Sequence, residues 1–226
     1  MTQWDGKLLL AQGWAHYHGR AGDTAFHAHY PMQIVFSGSH ETTATIEHHQ
    51  VSGQLLRIPS NARHMLAPSR EPIDLLYVEP TLLEKCEMEE KSLSAWLAAL
   101  RHQKAASIDP KIIRALEAVD DGLDGKIAQH DIASSAGMSK SSFTKLFLAT
   151  IGMPLRRYVL WRRLNAAVTA ISDGTDATTA AHRAGFSDQA HFSRTMKKTF
   201  GVSPTDSLLR IKMTGTAYSN RSILSR

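Results

Sequence analysis

The chain has 226 residues, 42% of them hydrophobic, and a formal net charge of +5 at pH 7. This length suits two domains of about 100 residues each, and the composition is that of an ordinary globular protein. Because no apolar run reaches about 18 residues and no basic cluster precedes the short apolar run near the N-terminus, we expect neither a membrane-spanning helix nor a secretory signal. The single cysteine, Cys86, has no second cysteine to pair with, so we expect a cytoplasmic protein.

The charges are unevenly distributed along the chain. Residues 1–105 contain 9 Lys and Arg against 11 Asp and Glu, whereas residues 106–226 contain 17 against 10. A basic C-terminal half is typical of a protein that binds a polyanion, although a merely solvated surface has the same composition. The histidines show the opposite bias, with nine of the twelve in residues 1–105.

Residues 8–79 have the composition of β-strands. Short stretches rich in β-branched and aromatic residues, at 33–36, 42–47 and 73–78, alternate with turn-forming Gly, Pro, Ser and Asn. Many short strands at close spacing favour a sandwich or a barrel. From Thr81 to Gln103 the apolar residues recur at helical spacing, which predicts one or two amphipathic helices that either pack on the β-domain or form a dimer interface.

A helical region is predicted after a candidate linker at residues 104–108. Asp109 can cap a helix and Pro110 suits its first position, while Gly122 and Gly125 favour its end. The remainder to about Lys212 is predicted to be helical. The predicted organisation is a β-rich domain at 1–80, helices that are candidates for dimerisation at 81–105, a helical domain at 106–212 and a flexible tail at 213–226.

Two segments of the C-terminal half, residues 131–147 and 179–196, repeat one plan. Ala133, Gly137, Met138 and Ser139 of the first segment correspond to Ala181, Gly185, Phe186 and Ser187 of the second. The small alanine lets two helices cross closely, the glycine supplies a tight turn with positive φ, and the serine can cap the next helix. This plan predicts two helix-turn-helix units, and the second helix of such a unit fits the major groove of DNA.

One long helix, residues 154–172, is predicted between the two units. About 18 residues at 1.5 Å rise span roughly 27 Å, and successive major-groove faces lie about 34 Å apart. A rigid helix of that length can therefore hold two recognition helices in neighbouring grooves. A helical domain without DNA contact is the alternative.

Residues 109–204 resemble the DNA-binding domain of the AraC/XylS family of transcription regulators. The closest match is residues 184–204, whose Gly-Phe, Asp-Gln, His-Phe, Arg, Lys-Lys, Phe-Gly and Ser-Pro elements stand where the family has them. The first unit matches through Ala-Gly-Met-Ser at 136–139 and through the helix that contains Tyr158. The chain departs from the family at Met196, where Phe is usual, and at Thr205–Leu209, where a Tyr-Arg pair is usual.

The resemblance implies that the second helix of each unit contacts DNA. The implied positions are Ser139, Lys140, Ser141, Thr144 and Lys145 in the first unit, and Ser187, Gln189, Ala190, His191, Ser193, Arg194, Lys197 and Lys198 in the second. Arg194 suits guanine and Gln189 suits adenine. The residues suited to phosphates are Lys197 and Lys198 together with Arg156, Arg157, Arg162 and Arg163. Because the first helix has few long side chains on this face, we expect the second to dominate base recognition.

The β-rich segment resembles a cupin barrel, a domain that the AraC/XylS family often has. The first cupin motif is met by Gly22, His27, His29, Gln33 and Gly38, and the second by Gly53, Pro59, Asn61 and His64, with Gln in place of Glu and Asn in place of Gly. The resemblance implies that His27, His29 and His64 converge on Zn²⁺, Fe²⁺, Ni²⁺ or Mn²⁺, with the neutral Gln33 as a poor fourth ligand. A small organic effector, or a polar lining without a ligand, are the alternatives.

The predicted fold class is α+β, with an N-terminal cupin-like β-barrel, following helices and a C-terminal all-α domain of two helix-turn-helix units joined by a linker helix. The implied function is a sequence-specific transcription regulator that binds double-stranded DNA, responds to a small ligand or metal in the barrel and acts as a homodimer, with RNA polymerase as a candidate partner. The sequence leaves open whether it activates or represses. The alternatives are a metal-dependent cupin enzyme such as a dioxygenase, disfavoured by the missing Glu, and an accessory factor without a ligand.

Overall fold

The structure, a computed structural model, describes residues 3–11, 13–83, 92–101, 108–204 and 210–216. These residues form two units, one drawn from residues 1–104 and 193–219 and the other from residues 105–192. Cys86, most of the predicted linker, the Thr205–Leu209 departure and the end of the predicted tail lie outside the described residues. Within the described part of the chain, no helix is long and apolar enough to cross a membrane.

The first unit is built on two sheets. Its strands are β1 (Asp5–Ala11), β2 (Trp14–Arg20), β3 (Met32–Phe36), β4 (Thr42–Ile46), β5 (His49–Gly53), β6 (Leu55–Ile58), β7 (His64–Leu66), β8 (Ile73–Val78) and β9 (Ile211–Thr216). Six strands form a sheet in the order β6-β3-β8-β2-β1-β9, and three form a sheet in the order β5-β4-β7. The predicted combination of an N-terminal β-region and a C-terminal helical region is confirmed. The predicted closed cupin barrel is not, because both sheets are open among the described residues.

The core of the first unit lies on β3 and β8, which pair with each other at the centre of the larger sheet. Helix α1 (Pro80–Leu83) follows β8, and helix α2 (Leu93–Arg101) packs Trp96 and Leu100 against apolar residues of β3 and β8. Trp96 is only 1% exposed. Of the two expectations for residues 81–105, packing on the β-domain is therefore the one that this contact supports, and dimerisation stays a prediction.

Strand β9 differs from the sequence-based expectation. Residues up to Lys212 were expected to be helical and the tail to be loose from 213, whereas Ile211–Thr216 pairs in parallel with β1, for example Lys7 with Lys212. The open edge of β1 offers unpaired backbone donors and acceptors to any extended segment. That partner is about 200 residues away, so no local pattern indicates it.

The second unit is helical. The helices are α3 (Pro110–Asp121), α4 (Gln129–Ser135), α5 (Lys140–Ile151), α6 (Leu155–Ser172), α7 (Ala177–Arg183) and the first turn of α8 (Gln189–Phe200). The carboxylate of Asp109 accepts a hydrogen bond from the backbone N–H of Lys111 at 2.8 Å, as expected for the cap of α3. Helix α6 has the predicted 18 residues. Residues from Ser193 onward are grouped with the first unit, and the single helical domain expected at 106–212 stays a prediction.

Candidate nucleic-acid interface and histidine site

The first helix-turn-helix unit consists of α4, a turn and α5. Gly137 has a φ of +65°, a left-handed conformation that glycine adopts without strain. Ala133 is buried. The hydroxyl of Ser139 accepts a hydrogen bond from the backbone N–H of Ser142 at 3.3 Å and so caps α5. The predicted turn at Gly137 and cap at Ser139 are confirmed, and the close helix crossing at Ala133 stays a prediction.

The second helix-turn-helix unit consists of α7, a turn and α8, and Gly185 at its corner has a φ of +80°. The cap of α8 is Asp188, whose carboxylate accepts a hydrogen bond from the backbone N–H of His191 at 2.6 Å. The prediction that Ser187 caps this helix is wrong. The helix begins one residue later than expected, at Gln189, and the hydroxyl of Ser187 instead donates to the carboxylate of Asp188 at 2.9 Å.

The residues implied to contact DNA lie mainly on exposed surface. The exposed ones are Ser139, Lys140, Ser141, Thr144, Lys145, Ser187, Gln189, Ala190, Arg194, Lys197 and Lys198, while His191 and Ser193 are half-buried. Their side chains are therefore accessible to a duplex. Their contacts with DNA stay a prediction.

Hydrogen bonds within each unit orient two of these side chains. Thr144 donates its hydroxyl hydrogen to the carbonyl of Lys140 at 2.7 Å and accepts from the amide of Gln129 at 2.7 Å. Gln189 accepts a hydrogen bond from the hydroxyl of Thr178 at 2.9 Å. Because the polar group of Thr144 is engaged in this way, its methyl group is the part suited to a base contact. Sequence reasoning missed Gln129 and Thr178, although both stand in the first turn of the preceding helix.

Two of the four arginines expected to contact phosphates instead bind acceptors within the structural unit of residues 105–192. Arg162 forms an ion pair with Asp120 at 2.8 Å. Burial raises the pKa of Asp120 although Arg162 opposes the shift. Arg163 donates from Nε to the carbonyl of Leu123 at 3.0 Å and from its terminal nitrogen to that of Gly125 at 2.6 Å.

The phosphate role expected for Arg162 and Arg163 is corrected for a physical reason: each guanidinium satisfies buried or half-buried acceptors of its own unit. Arg156 and Arg157 are exposed and keep the expected role as a prediction.

A cleft of about 700 Å³ opens beside α5 in the structural unit of residues 105–192. Phe147, Leu148 and Val159 belong to its largely apolar lining, and Lys126 and Arg156 supply positive charge. The side chain of Thr144 also lines it. The cleft therefore adjoins the predicted DNA-contacting face of α5.

The three histidines of the N-terminal half converge, as the resemblance to cupins implied. His27, His29 and His64 are all buried, and the nitrogen atoms that they offer as ligands lie within 4.8 Å of one another. The backbones of His27 and His64 form an antiparallel bridge, with N–H to carbonyl distances of 2.9 and 2.8 Å. This bridge brings together residues that are 37 positions apart in the sequence.

The backbone orients all three rings in the same way. The Nδ1 atoms of His27, His29 and His64 lie 2.8, 2.8 and 2.9 Å from the carbonyl oxygens of residues 25, 31 and 62. A carbonyl can only accept, so a neutral ring that donates from Nδ1 keeps its lone pair on Nε2, and Gln33 can then hydrogen-bond to these Nε2 atoms only with its amide turned over, through its N–H₂ group. The amide oxygen of Gln33 lies 3.0 Å from Nε2 of His29 and 3.2 Å from Nε2 of His64.

Burial keeps these imidazoles neutral. Burial, with a smaller contribution from the neighbouring histidines, lowers the pKa of His27 to about 2 and that of His29 to about 4. Burial also lowers the pKa of His64. Neutral imidazole is the form that binds metal ions.

The sequence departure at Asn61 has a structural reason. Asn61 has a φ of +60°, in the left-handed region where the family motif uses glycine. Asparagine tolerates this conformation better than most residues. Its backbone N–H donates to the carbonyl of His29 at 2.9 Å, so the turn helps to hold that histidine in place.

The end of α8 lies against this histidine site within the first unit. The ring of Phe200 is 6.1 Å from the ring of His29. The backbone N–H of Ala25 donates to the carbonyl of Gly201 at 2.9 Å. A Cβ on Gly201 would lie 2.7 Å from Nδ1 of His27, so no other residue fits there without displacement.

Comparisons with known proteins agree with the motifs of the C-terminal half. Residues 132–210 match a family model described as a helix-turn-helix domain. The probable transcriptional regulator LumQ of Photobacterium leiognathi is 28% identical over 146 residues, which cover 62% of this chain and 59% of LumQ. The transcriptional activator RhrA of Rhizobium meliloti is 30% identical over 108 residues, which cover 46% of this chain and 32% of RhrA. The matches thus span less than two thirds of these relatives.

Among solved structures, the unsaturated fatty acid-bound form of ToxT from Vibrio cholerae superposes with a TM-score of 0.57 at 11% identity, covering 90% of this chain and 95% of ToxT. At this identity the likeness shows a shared fold. With the paired helix-turn-helix units, these matches show that residues 132–210 form a helix-turn-helix domain similar to those of the named transcription regulators.

Proposed function

We propose that the protein is a sequence-specific DNA-binding transcription regulator that inserts α5 and α8 into the major groove. The observation that carries this proposal is the pair of helix-turn-helix units, each with a left-handed glycine at its corner and an exposed second helix. Helix α6 between them is 18 residues long, so it spans roughly 27 Å, close to the spacing of successive major grooves. The net positive charge of the C-terminal half favours a polyanionic partner.

The two second helices are suited to different kinds of contact. On α8, the exposed Arg194 can donate two hydrogen bonds to guanine, and Gln189 still has an amide N–H₂ group to offer to adenine. On α5, Ser141 and the methyl group of Thr144 are short, so this helix reads DNA by close contact and shape. Helix α8 therefore carries most of the base discrimination.

The direct test is selection of bound sequences from random duplex DNA, performed with and without added divalent metal. Recovery of one enriched motif with two parts about one helical turn apart is expected if both units dock. Uniform recovery of unrelated sequences would contradict sequence-specific binding.

A matched pair of exposed residues on α8 sharpens this test. Arg194→Ala should weaken binding to the selected site by about 1–3 kcal/mol and relax specificity at one base, because a bidentate guanine contact is lost. Lys197→Ala should weaken binding to selected and random DNA alike and lower the salt slope by about one. Equal losses on both kinds of DNA for both variants would refute the division of roles.

The N-terminal unit is the proposed sensor. A small organic effector is supported by the fold shared with ToxT, which has been solved with an unsaturated fatty acid. A divalent metal is supported by the three buried, neutral and converging histidines. The enzyme alternative has less support, since the named relatives are transcription regulators and the residue beside the histidines is a glutamine.

We further propose that the protein acts in the cytoplasm as a homodimer, with RNA polymerase as a candidate partner on DNA. Sedimentation of the free chain and of its complex with the selected duplex tests the dimer. A single chain per duplex at saturation would exclude it.

A further inference from the structure

We propose that a divalent transition-metal ion, held by the site that the cupin resemblance implies (His27, His29 and His64, with Gln33 as an oxygen ligand), stabilises the C-terminal end of α8. The metal site stands on its own geometry. The effect on α8 rests on the proposed function, since α8 is the helix assigned to base recognition.

The donor set is arranged for a cation. All three imidazoles direct their Nδ1–H groups outward to backbone carbonyls, which leaves three Nε2 lone pairs in one buried space. Lone pairs that face one another without a hydrogen repel, and a metal ion at their centre satisfies all of them. Carbonyl partners on the outer nitrogen are also the usual support of metal-binding histidines. Nitrogen donors favour zinc, iron, nickel, cobalt or copper over magnesium and calcium.

Gln33 fits a site that loads and empties. With its oxygen toward the histidines it can complete a four-ligand shell, and this is the orientation at 3.0 and 3.2 Å from two Nε2 atoms. With its amide turned over, its two N–H groups can donate to the same two atoms. Both the loaded and the empty site are therefore satisfied, and a neutral ligand holds the ion less tightly than a carboxylate would.

The peptide group of Ala25 connects the site to α8. Its carbonyl oxygen accepts from Nδ1 of His27 at 2.8 Å, and its N–H donates to the carbonyl of Gly201 at 2.9 Å. Gly201 follows the last residue of α8, Phe200, whose ring lies 6.1 Å from that of His29. An ion that fixes the rings of His27 and His29 therefore fixes the surface on which α8 ends.

The charge of the ion gives this effect a sign. The carbonyl end of a helix carries partial negative charge, and a nearby cation stabilises it. The ligands are neutral, so the ion keeps its double charge next to the last turn of α8. Lys197 and Lys198 lie in that turn and Arg194 one turn earlier. Metal should therefore favour the ordered recognition helix and strengthen binding to DNA.

Metal binding is tested first without DNA. The full chain, treated with chelator and titrated with Co²⁺, should show visible absorption of a cobalt–nitrogen site that saturates at one ion per chain and is displaced by Zn²⁺. His64→Ala should abolish this absorption, and His49→Ala, which changes an exposed histidine, should leave it intact. If His64→Ala does not fold, Gln33→Glu provides the second test, since an added carboxylate should tighten Co²⁺ binding at least about tenfold. Absence of a stoichiometric site, or an unchanged affinity in Gln33→Glu, overturns the metal site.

The link to DNA is tested second, with the selected duplex. Zn²⁺ should raise the affinity of the unaltered chain at least about fivefold and leave that of His64→Ala, or of an unaltered chain kept in chelator, unchanged. By reciprocity, the duplex should tighten Co²⁺ binding by the same factor. One bound ion with no change in DNA affinity overturns the effect on α8 and leaves the metal site standing. Lack of specific DNA binding in both the loaded and the metal-free state instead refutes the proposed function.

Discussion

A methyl group placed on Gly185 tests whether the corner of the second helix-turn-helix unit is a point of close contact. A Cβ at Gly185 would overlap the carbonyl oxygen of Leu123 and lie 2.8 Å from Nε of Arg163. Gly137, the matching corner of the first unit, has nothing within 4 Å of the same position. Both glycines have positive φ, at +80° and +65°. The same substitution at the two corners therefore separates backbone strain from steric overlap.

The magnitudes follow from these contacts. Alanine in the left-handed region costs about 1–2 kcal/mol, and about 0.4–1 kcal/mol is offset because alanine restricts the unfolded chain. Gly137→Ala should thus lower the free energy of unfolding by about 1 kcal/mol. Gly185→Ala also displaces Arg163, which donates to two carbonyls at 3.0 and 2.6 Å, and hydrogen bonds of a charged group are worth about 1.5–3 kcal/mol each. We therefore expect Gly185→Ala to lower the free energy of unfolding by about 3 kcal/mol or more.

Denaturation by guanidinium, followed through the helical circular dichroism signal, measures both variants against the unaltered chain. DNA affinity is measured in the absence of denaturant, under conditions in which both variants are folded. Gly185→Ala should lose affinity more than Gly137→Ala, because its overlap displaces the turn that leads into α8. Equal destabilisation of the two variants, or a neutral Gly185→Ala, would refute the close contact at this corner.

Three further predictions concern single side chains. Asp188→Ala should lower the free energy of unfolding, measured by thermal unfolding, by about 1 kcal/mol because α8 loses its cap. Ser187→Ala should change it by less than about 0.5 kcal/mol. A larger loss in Ser187→Ala than in Asp188→Ala would place the cap at the serine. Arg162→Ala should destabilise the chain by about 3 kcal/mol because the largely buried carboxylate of Asp120 loses its partner. Arg156→Ala, the control at an exposed arginine, should leave stability unchanged and weaken DNA binding. Unchanged stability in Arg162→Ala would contradict the ion pair. Trp96→Ala should cost about 3–5 kcal/mol in urea unfolding, and a small loss would show that α2 does not depend on its contact with the sheet.

The helical half could be predicted well from the sequence because its determinants are local. A glycine corner and a run of helical periodicity specify each helix-turn-helix unit within about 20 residues, the serine cap of α5 was also predicted, and α6 has the expected length. The predictions that were wrong in this half concern residues whose roles depend on tertiary contacts. Arg162 and Arg163 look like any surface arginine until their partners, some 40 positions away, are known. The capping role of Asp188 depended on where the helix begins, which is the least certain part of any pattern.

The N-terminal half was predicted in composition and only partly in arrangement. Stretches rich in β-branched and aromatic residues indicate strands, but they do not say which strands pair, so neither the open sheets nor the partnership of β9 with β1 could be derived. The histidine cluster was implied by the resemblance to the cupin motifs, and a backbone bridge brings His64 beside His27. The contact of the site with Gly201 joins residues about 175 positions apart, and no local pattern points to it.

Gln33 is the residue that best separates a sensor from an enzyme at this site. A carboxylate there would reduce the net charge of a bound divalent ion by one and would add strong attraction in a buried, low-dielectric space. The neutral amide leaves the double charge of the ion uncompensated by its ligands, which weakens retention and allows exchange with the surroundings. A catalytic iron must be retained through repeated turnovers, whereas a regulator gains from an ion that leaves when its concentration falls. The glutamine at this position therefore disfavours a dioxygenase and is compatible with the proposed site, which binds its ion reversibly.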